Sequence, residues 1–164
     1  TLYRYFSTRD ELVAAASDEL RSRLGITLDI NSPDEVATSF WETSALVSAQ
    51  PRLARAMIYT ETGRAARRPM HAVRIGAVTE ALAPLTSQLS PTIARRITAV
   101  IAHLCGLAPW LTISDESDLS ASDARAAVYW AIDVLIAQLK VEVEQARLNQ
   151  SADSSAVPGD PIPG

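Results

Sequence analysis

The sequence TLYRYFSTRDEL, residues 1–12, decides the fold because it joins a short segment rich in Tyr and Arg to the start of a capped helix. Thr8 and Glu11 form a capping box, in which each side chain satisfies a free backbone N–H at the helix start. Apolar residues then recur at every fourth position: Leu12, Ala16, Leu20 and Leu24. Gly25 is a typical helix stop, so the pattern predicts one amphipathic helix over about 8–24.

The chain after Gly25 predicts five more helices. Ser32-Pro33 and Ser90-Pro91 each place a capping Ser before a Pro at the first helical position, which starts the second and fifth helices. The apolar spacing and the Gly and Pro residues predict helices over about 33–50, 51–62, 69–85, 91–110 and 120–147. The stretch 26–30 alternates like a strand but is too short to stand alone, so it is predicted to be a connecting loop. The fold class is therefore all-α.

Composition supports a single soluble domain with a polar tail. The chain has 164 residues, 48% apolar and 21% charged, which is ordinary for a globular protein. Residues 150–164 are rich in Ser, Pro and Gly and are predicted to be disordered, which leaves the main domain at 25–149. No leader sequence is visible, and the apolar stretch 97–113 is shorter than the roughly 20 residues of a membrane span. The chain is expected in the cytoplasm, without a membrane partner.

The charge is small overall but unevenly distributed. The formal net charge of −4 does not point to nucleic acid. However, residues 51–75 carry a balance of +5, whereas residues 115–164 carry −6. Arg64, Arg67 and Arg68 form a basic cluster that could contact DNA phosphates or an acidic ligand, although a solvated loop is the simpler interpretation.

The fifth and sixth helices are apolar nearly all round, so both of their sides need to be covered. Two such helices in a chain of this size favour a two-fold homodimer in which they pair with their symmetry mates. The alternative is a pair of central core helices in a monomer. The residues predicted to form the dimer interface are Ile97, Ile101, Leu104, Val128, Trp130 and Val134.

Residues 1–12 also carry a family resemblance. Tyr hydroxyls and Arg side chains are regular donors to phosphate oxygens, although aromatic and basic residues on a helix also occur as packing plus solvated charge. TLYRYFSTRDEL resembles, almost position for position, the end of the DNA-binding region in the TetR family of bacterial transcriptional regulators. In that family a recognition helix closes with a Thr-Leu-Tyr-x-Tyr/His-Phe pattern, and a turn and a long linking helix follow.

The resemblance covers residues 1–24 at the level of motif and implies a DNA-binding role. It assigns 1–24 to the end of the recognition helix and the linking helix, and places the rest of the helix-turn-helix before Thr1. The chain by itself is therefore not expected to bind DNA specifically. In the full-length parent, the residues implied to contact operator DNA are Thr1, Tyr3, Arg4, Tyr5 and Arg9.

The resemblance further implies a small, apolar effector that binds between the helices of the C-terminal region. A mostly apolar set with a few polar groups suits such a pocket. The candidate lining residues are Trp41, Met57, Tyr59, Thr60, Thr79, His103 and Trp110, each of which could equally be ordinary core.

No catalytic, metal or cofactor site is predicted. His103 and Cys105 are two residues apart and point about 200° from each other on a helix, so they cannot bind one ion together. No phosphate loop, nucleophile elbow or acid–base pair is visible. The hypothesis is a ligand-responsive regulator, most simply a repressor. The alternative is a helical dimerisation or small-molecule-binding module without a role on DNA.

Overall fold

The computed structural model describes residues 5–155, and over this range the chain is helical without any strand, as the all-α prediction requires. The helices of this range are α1 (Arg9–Leu24), α2 (Glu35–Ser48), α3 (Pro51–Tyr59), α4 (Glu61–Thr86), α5 (Pro91–Leu104), α6 (Leu107–Glu116) and α7 (Ala121–Ser155). Residues 26–30 form an irregular connection between α1 and α2, so the prediction of a loop there is confirmed.

Both ends of α1 lie where the capping residues of the sequence predict them. The hydroxyl of Thr8 accepts a hydrogen bond from the backbone N–H of Glu11 at 3.1 Å. The Glu11 carboxylate reaches one residue further than a standard capping box, because it accepts from the backbone N–H (2.8 Å) and the hydroxyl (2.6 Å) of Ser7. These bonds lower the pKa of Glu11. At the other end, Gly25 has a φ of 64°, the left-handed conformation that closes a helix.

α4 is one continuous helix from Glu61 to Thr86. The sequence instead predicted that a third helix would end at residue 62 and that a fourth would begin only at residue 69. The hydroxyl of Thr60 caps α4 by accepting from the N–H of Gly63 at 2.9 Å. Gly63 does not stop a helix here; it lets α4 lie against α3, since a Cβ on it would come within 2.1 Å of the carbonyl oxygen of Ala56. Pro69 lies inside the helix despite the lost hydrogen bond, because α4 packs against α1, α3 and α5.

The predicted fifth helix is divided into α5 and α6, which meet at a bend of 60°. Gly106 is the extended residue between them, and the bend places Pro109 in the first turn of α6, where its missing N–H costs nothing. No single helix within residues 5–155 is both long and apolar enough to cross a membrane, although α5 and α6 taken together reach that length and composition.

The other departures concern helix ends. α2 begins at Glu35 and not at Pro33, since the side chain of Glu35 accepts from the backbone N–H of Asn31 and its own N–H bonds to the carbonyl of Ser32. α7 extends to Ser155, beyond the predicted end near Arg147, because the sequence contains no Pro or Gly between residues 121 and 157. The rest of the predicted tail, 156–164, lies outside the described residues.

The core is centred on α7, which packs against α2 and α6, and on α4, which packs against α1, α3 and α5. The largest fully buried apolar side chains come from five helices: Val36, Val78, Leu82, Ile101, Trp110, Val128, Ile132 and Leu139. On α2, the buried face is formed by Val36, Phe40 and Val47. These two packed groups leave a space between α2, α4 and the start of α6.

Candidate ligand cavity

A cavity of about 390 Å³ lies between α2, α4, the α5–α6 junction and the loop after α1. Its volume is within the range of small-molecule sites, roughly 300–1,000 Å³. Much of its wall is apolar: Ile26, Leu28, Ile30, Val36, Phe40, Val47, Met57, Met70, Leu107 and Trp110. An apolar molecule placed there would be removed from water on several sides.

Another part of the wall carries positive charge, which comes from arginines on α4, and the hydroxyl residues Ser39, Thr43 and Ser44 complete the lining on α2. Arg64, Arg67, His71 and Arg74 follow one another at intervals of three and four residues, so they lie on the same face of the helix. Arg68 also lines the cavity, and His103 joins from α5. The described lining includes no Asp or Glu. A local excess of positive charge therefore surrounds one side of an apolar space.

Arg74 is held in place by neighbours that do not neutralise it. Its Nε donates to the carbonyl oxygen of Ala102 at 3.3 Å, and its Nη2 donates to Nδ1 of His71 at 2.6 Å. Nδ1 of His71 is therefore an unprotonated acceptor. Burial lowers the pKa of Arg74. Burial, followed by the positive charge of Arg74, lowers the pKa of His71.

Two buried donors at this site lack a partner within residues 5–155. The Nε of Arg67 has no hydrogen-bond acceptor, and burial lowers the pKa of this guanidinium, with a further contribution from Arg64. The indole Nε1 of Trp110 is also unpaired, although the side chain is only 1% exposed. A buried donor without a partner costs on the order of 1–3 kcal/mol. Both residues line the cavity.

Cys105 lines the cavity at the end of α5 and is half-buried. Burial raises the pKa of its thiol to about 12, and the charge of Arg74 opposes that shift without cancelling it. The thiol is therefore protonated and unreactive near neutral pH.

Three of the seven predicted pocket residues line the cavity, namely Met57, His103 and Trp110. The other four do not, and each has another role. Trp41 packs its ring under the guanidinium of Arg125 at 4.3 Å. The hydroxyl of Tyr59 donates to Asp115 at 2.8 Å.

Thr60 and Thr79 are the remaining two. Thr60 caps α4, and the exposed Thr79 donates to the carbonyl of Ile75 at 2.7 Å. Trp41, Tyr59 and Thr79 lie on the helices that the sequence predicted for them, but the sequence could not give the direction in which each side chain points.

The arginines of the basic wall were not among the predicted pocket residues. Arg64, Arg67 and Arg68 were expected in a solvated loop; the loop is wrong, because all three lie on α4 and line the cavity, whereas Arg64 and Arg68 are indeed exposed to solvent and Arg67 is half-buried. The spacing from Arg64 to Arg74 was a usable signal, but only for a helix that runs through Pro69.

The predicted interface residues separate into three groups. Trp130 and Val134 are 66% and 44% exposed on α7. Ile97 and Leu104 of α5 are half-buried. Ile101 and Val128 are fully buried by the chain itself, so they belong to its core and leave the set of interface candidates.

The structure describes only some of the residues that were predicted to contact DNA. Thr1, Tyr3 and Arg4 lie outside the described residues. Tyr5 is 78% exposed, just before the turn that leads into α1. Arg9 is the first residue of α1, and its side chain is not among those described.

Fold and site together define an all-α chain with an apolar, cation-lined cavity. Comparison of this chain with protein-family models, with curated proteins and with solved structures finds no match.

Proposed function

We propose that this chain is the ligand-binding and dimerisation part of a TetR-like transcriptional regulator that acts in the cytoplasm. In this proposal the full-length parent binds operator DNA as a homodimer and is not an enzyme. A small molecule in the cavity changes the geometry of the DNA-binding region. The conformation that fits two successive major grooves then becomes less populated.

The observation that supports the proposal most strongly is that α1 connects the N-terminal motif to the cavity. At its start, α1 follows the TLYRYF motif through the Ser7–Glu11 and Thr8–Glu11 hydrogen bonds. At its end, the chain passes through Gly25 directly into the loop whose residues Ile26, Leu28 and Ile30 line the cavity. Along its length, α1 packs against α4, which supplies the basic wall. In this proposal, a ligand that moves the wall or the loop displaces α1.

A second line of support is an unpartnered apolar face on α7. Trp130, Val134, Ala137 and Val141 are exposed and follow each other at intervals of three and four residues, with Asp133 as the one charge among them. The neighbouring α5 packs against α7 and exposes Ile93 and Val100. A second copy of this chain suits such a face, since a two-fold pairing buries the same patch on both subunits.

The dimer is tested by sedimentation equilibrium at micromolar concentration. The chain should sediment at twice its monomer mass of 17.7 kDa. Trp130→Glu should shift the equilibrium toward monomer by at least about tenfold, because it buries a charge in an apolar contact. Leu46→Glu is the matched control, since Leu46 is an equally apolar exposed residue on α2. A monomeric wild-type chain, or equal effects of the two variants, would contradict the proposed interface.

The DNA role is tested with the protein expressed from its native start codon, selected against a pool of random duplexes. A specific site with two-fold symmetry is expected, with affinity that falls steeply as salt increases. Tyr5→Phe should weaken binding about three- to tenfold by removing a phosphate donor, whereas Tyr59→Phe, which removes a hydroxyl elsewhere, should not. If no specific duplex is selected, the regulator proposal fails and the DNA-independent binding module remains.

A further inference from the structure

We infer that the cavity binds an amphipathic organic acid, with its carboxylate held by Arg67 and Arg74 and its apolar body against the patch formed by Phe40, Val47, Met57 and Met70. The inference deepens the proposed function, on which it rests, because it replaces an apolar effector of unspecified kind with a defined chemical class. It is carried by the charge of the wall, by the unpaired donors and by the apolar remainder of the lining.

The charge of the wall is the first step. Four arginines line one cavity, and the described lining offers no carboxylate to any of them. Their mutual repulsion, like the desolvation that lowers the pKa values of Arg67 and Arg74, opposes the charged state of these arginines. A bound anion reverses both effects, because it supplies the opposite charge inside a region of low dielectric.

The unpaired donors are the second step. The Nε of Arg67 and the Nε1 of Trp110 are buried without an acceptor within the described part of the chain. A carboxylate is an acceptor without donors, with room for about four hydrogen bonds, and it pairs well with the fork of a guanidinium. A neutral alcohol offers fewer lone pairs, and an ammonium offers none.

The apolar lining is the third step and defines the rest of the ligand. Phe40, Val47, Met57 and Met70 offer no partner to a polar group, so a small hydrophilic anion such as inorganic phosphate would leave them uncovered. A medium-length alkyl chain or an aromatic body would cover them and gain the free energy of burial. One charged end and one apolar end are therefore both required.

The test compares ligands that differ only in the head group. Alkanoate, 1-alkanol and alkylamine are each titrated with six-, eight- and ten-carbon chains, and binding is measured by isothermal titration calorimetry on the wild-type chain at pH 7.5. The acid should bind at least about tenfold more tightly than the alcohol of its best length, and the amine more weakly than both.

Two variants assign the preference to named residues. Arg67→Gln and Arg74→Gln should each remove most of the advantage of the acid while the affinity for the alcohol stays within about twofold. Arg52→Gln is the matched control, because Arg52 is an exposed arginine of α3 outside the cavity, and it should change neither affinity. Loss of alcohol binding together with acid binding in the Arg67 and Arg74 variants would indicate a merely structural role and overturn the assignment.

The remaining outcomes separate this inference from the proposed function. If the alcohol binds as tightly as the acid, the cavity is an apolar site and the inference is wrong, but a regulator with an apolar effector survives. If no head group binds at any chain length, the inference is also wrong. The selection of DNA duplexes described above still decides the proposed function, because that experiment requires no ligand.

Discussion

Arg125 and Arg67 place the same side chain in two very different surroundings. Arg125, 7% exposed on α7, donates to Ser44 at 2.9 Å, to the carbonyl of Trp41 at 2.8 Å and to Ser48 at 3.5 Å, and lies over the Trp41 ring. Arg67 lines the cavity, and its Nε has no acceptor within residues 5–155. Neither arginine forms an ion pair among the described side chains.

The difference separates a structural cation from one that is available to a ligand. The hydrogen bonds of Arg125 join α7 to α2 and compensate for its burial, so the α2–α7 contact depends on it. Arg67 is only partly buried and stabilises no such contact. A buried donor without an acceptor lowers the stability of the folded state.

The largest expected effect is on the rate at which the thiol of Cys105 is alkylated, which reports how far water reaches the cavity wall. With a pKa of about 12, only about one thiol in ten thousand is ionised at pH 8. We expect alkylation by iodoacetamide to be about a thousandfold slower in the native protein than in urea. Mass spectrometry over time measures both rates. Labelling at the rate of the unfolded chain would show that the wall is well hydrated and that the cations there are not desolvated.

Arg125→Met should be strongly destabilising. The substitution keeps an apolar stem but removes three hydrogen bonds and the contact with the Trp41 ring. The free energy of unfolding should fall by about 2–3 kcal/mol, as measured by urea denaturation. A loss below about 1 kcal/mol would mean that the partners of Arg125 contribute little, and the contrast with Arg67 would disappear.

Arg67→Met should have a smaller effect of the opposite sign. It removes an unpaired donor and a charge that is repelled by Arg64, so the free energy of unfolding should stay constant or rise by up to about 1 kcal/mol. The same urea titration measures it beside Arg125→Met. A loss as large as that of Arg125→Met would assign Arg67 to the structure and not to a ligand.

The smallest expected effect is the contribution of His71 to the pH dependence of stability. Burial and the charge of Arg74 lower the pKa of this residue in the folded protein. Because the unfolded chain then binds a proton more readily, this group makes the folded state less stable as the pH falls below about 6.5. Titration of the imidazole signals by NMR, assigned with His71→Gln, should give a pKa below 6.5 that rises when an alkanoate is bound. A pKa at or above 6.5 in the free protein would contradict the described pairing of His71 with Arg74.

Local capping signals predicted the helices well where the relevant contacts are near in sequence. Thr8, Glu11 and Gly25 defined both ends of α1, and Ser90 with Pro91 defined the start of α5, because these effects depend on neighbours within four residues. The continuity of α4 could not be predicted in this way. Whether Pro69 ends a helix depends on the packing of α4 against α1 and α3, which are distant in sequence.

The candidate site was predictable only in part, for the same reason. Met57, His103 and Trp110, which the sequence put forward as pocket residues, line the cavity. The basic wall depended on the continuity of α4 and was missed. Trp41 was misplaced because its partner Arg125 comes 84 residues later, and no local pattern indicates that contact.

Because α1 leads directly into the cavity wall, a small rotation at its C-terminal end becomes a larger displacement at its N-terminal end. The 16 residues of α1 span about 24 Å, and its far end leads into residues 1–8. A tilt of about 10° at Gly25 would displace Thr8 by about 4 Å, more than the length of a hydrogen bond. A small shift of Ile26 and Leu28 that tilts α1 would therefore move Thr8 by several ångströms.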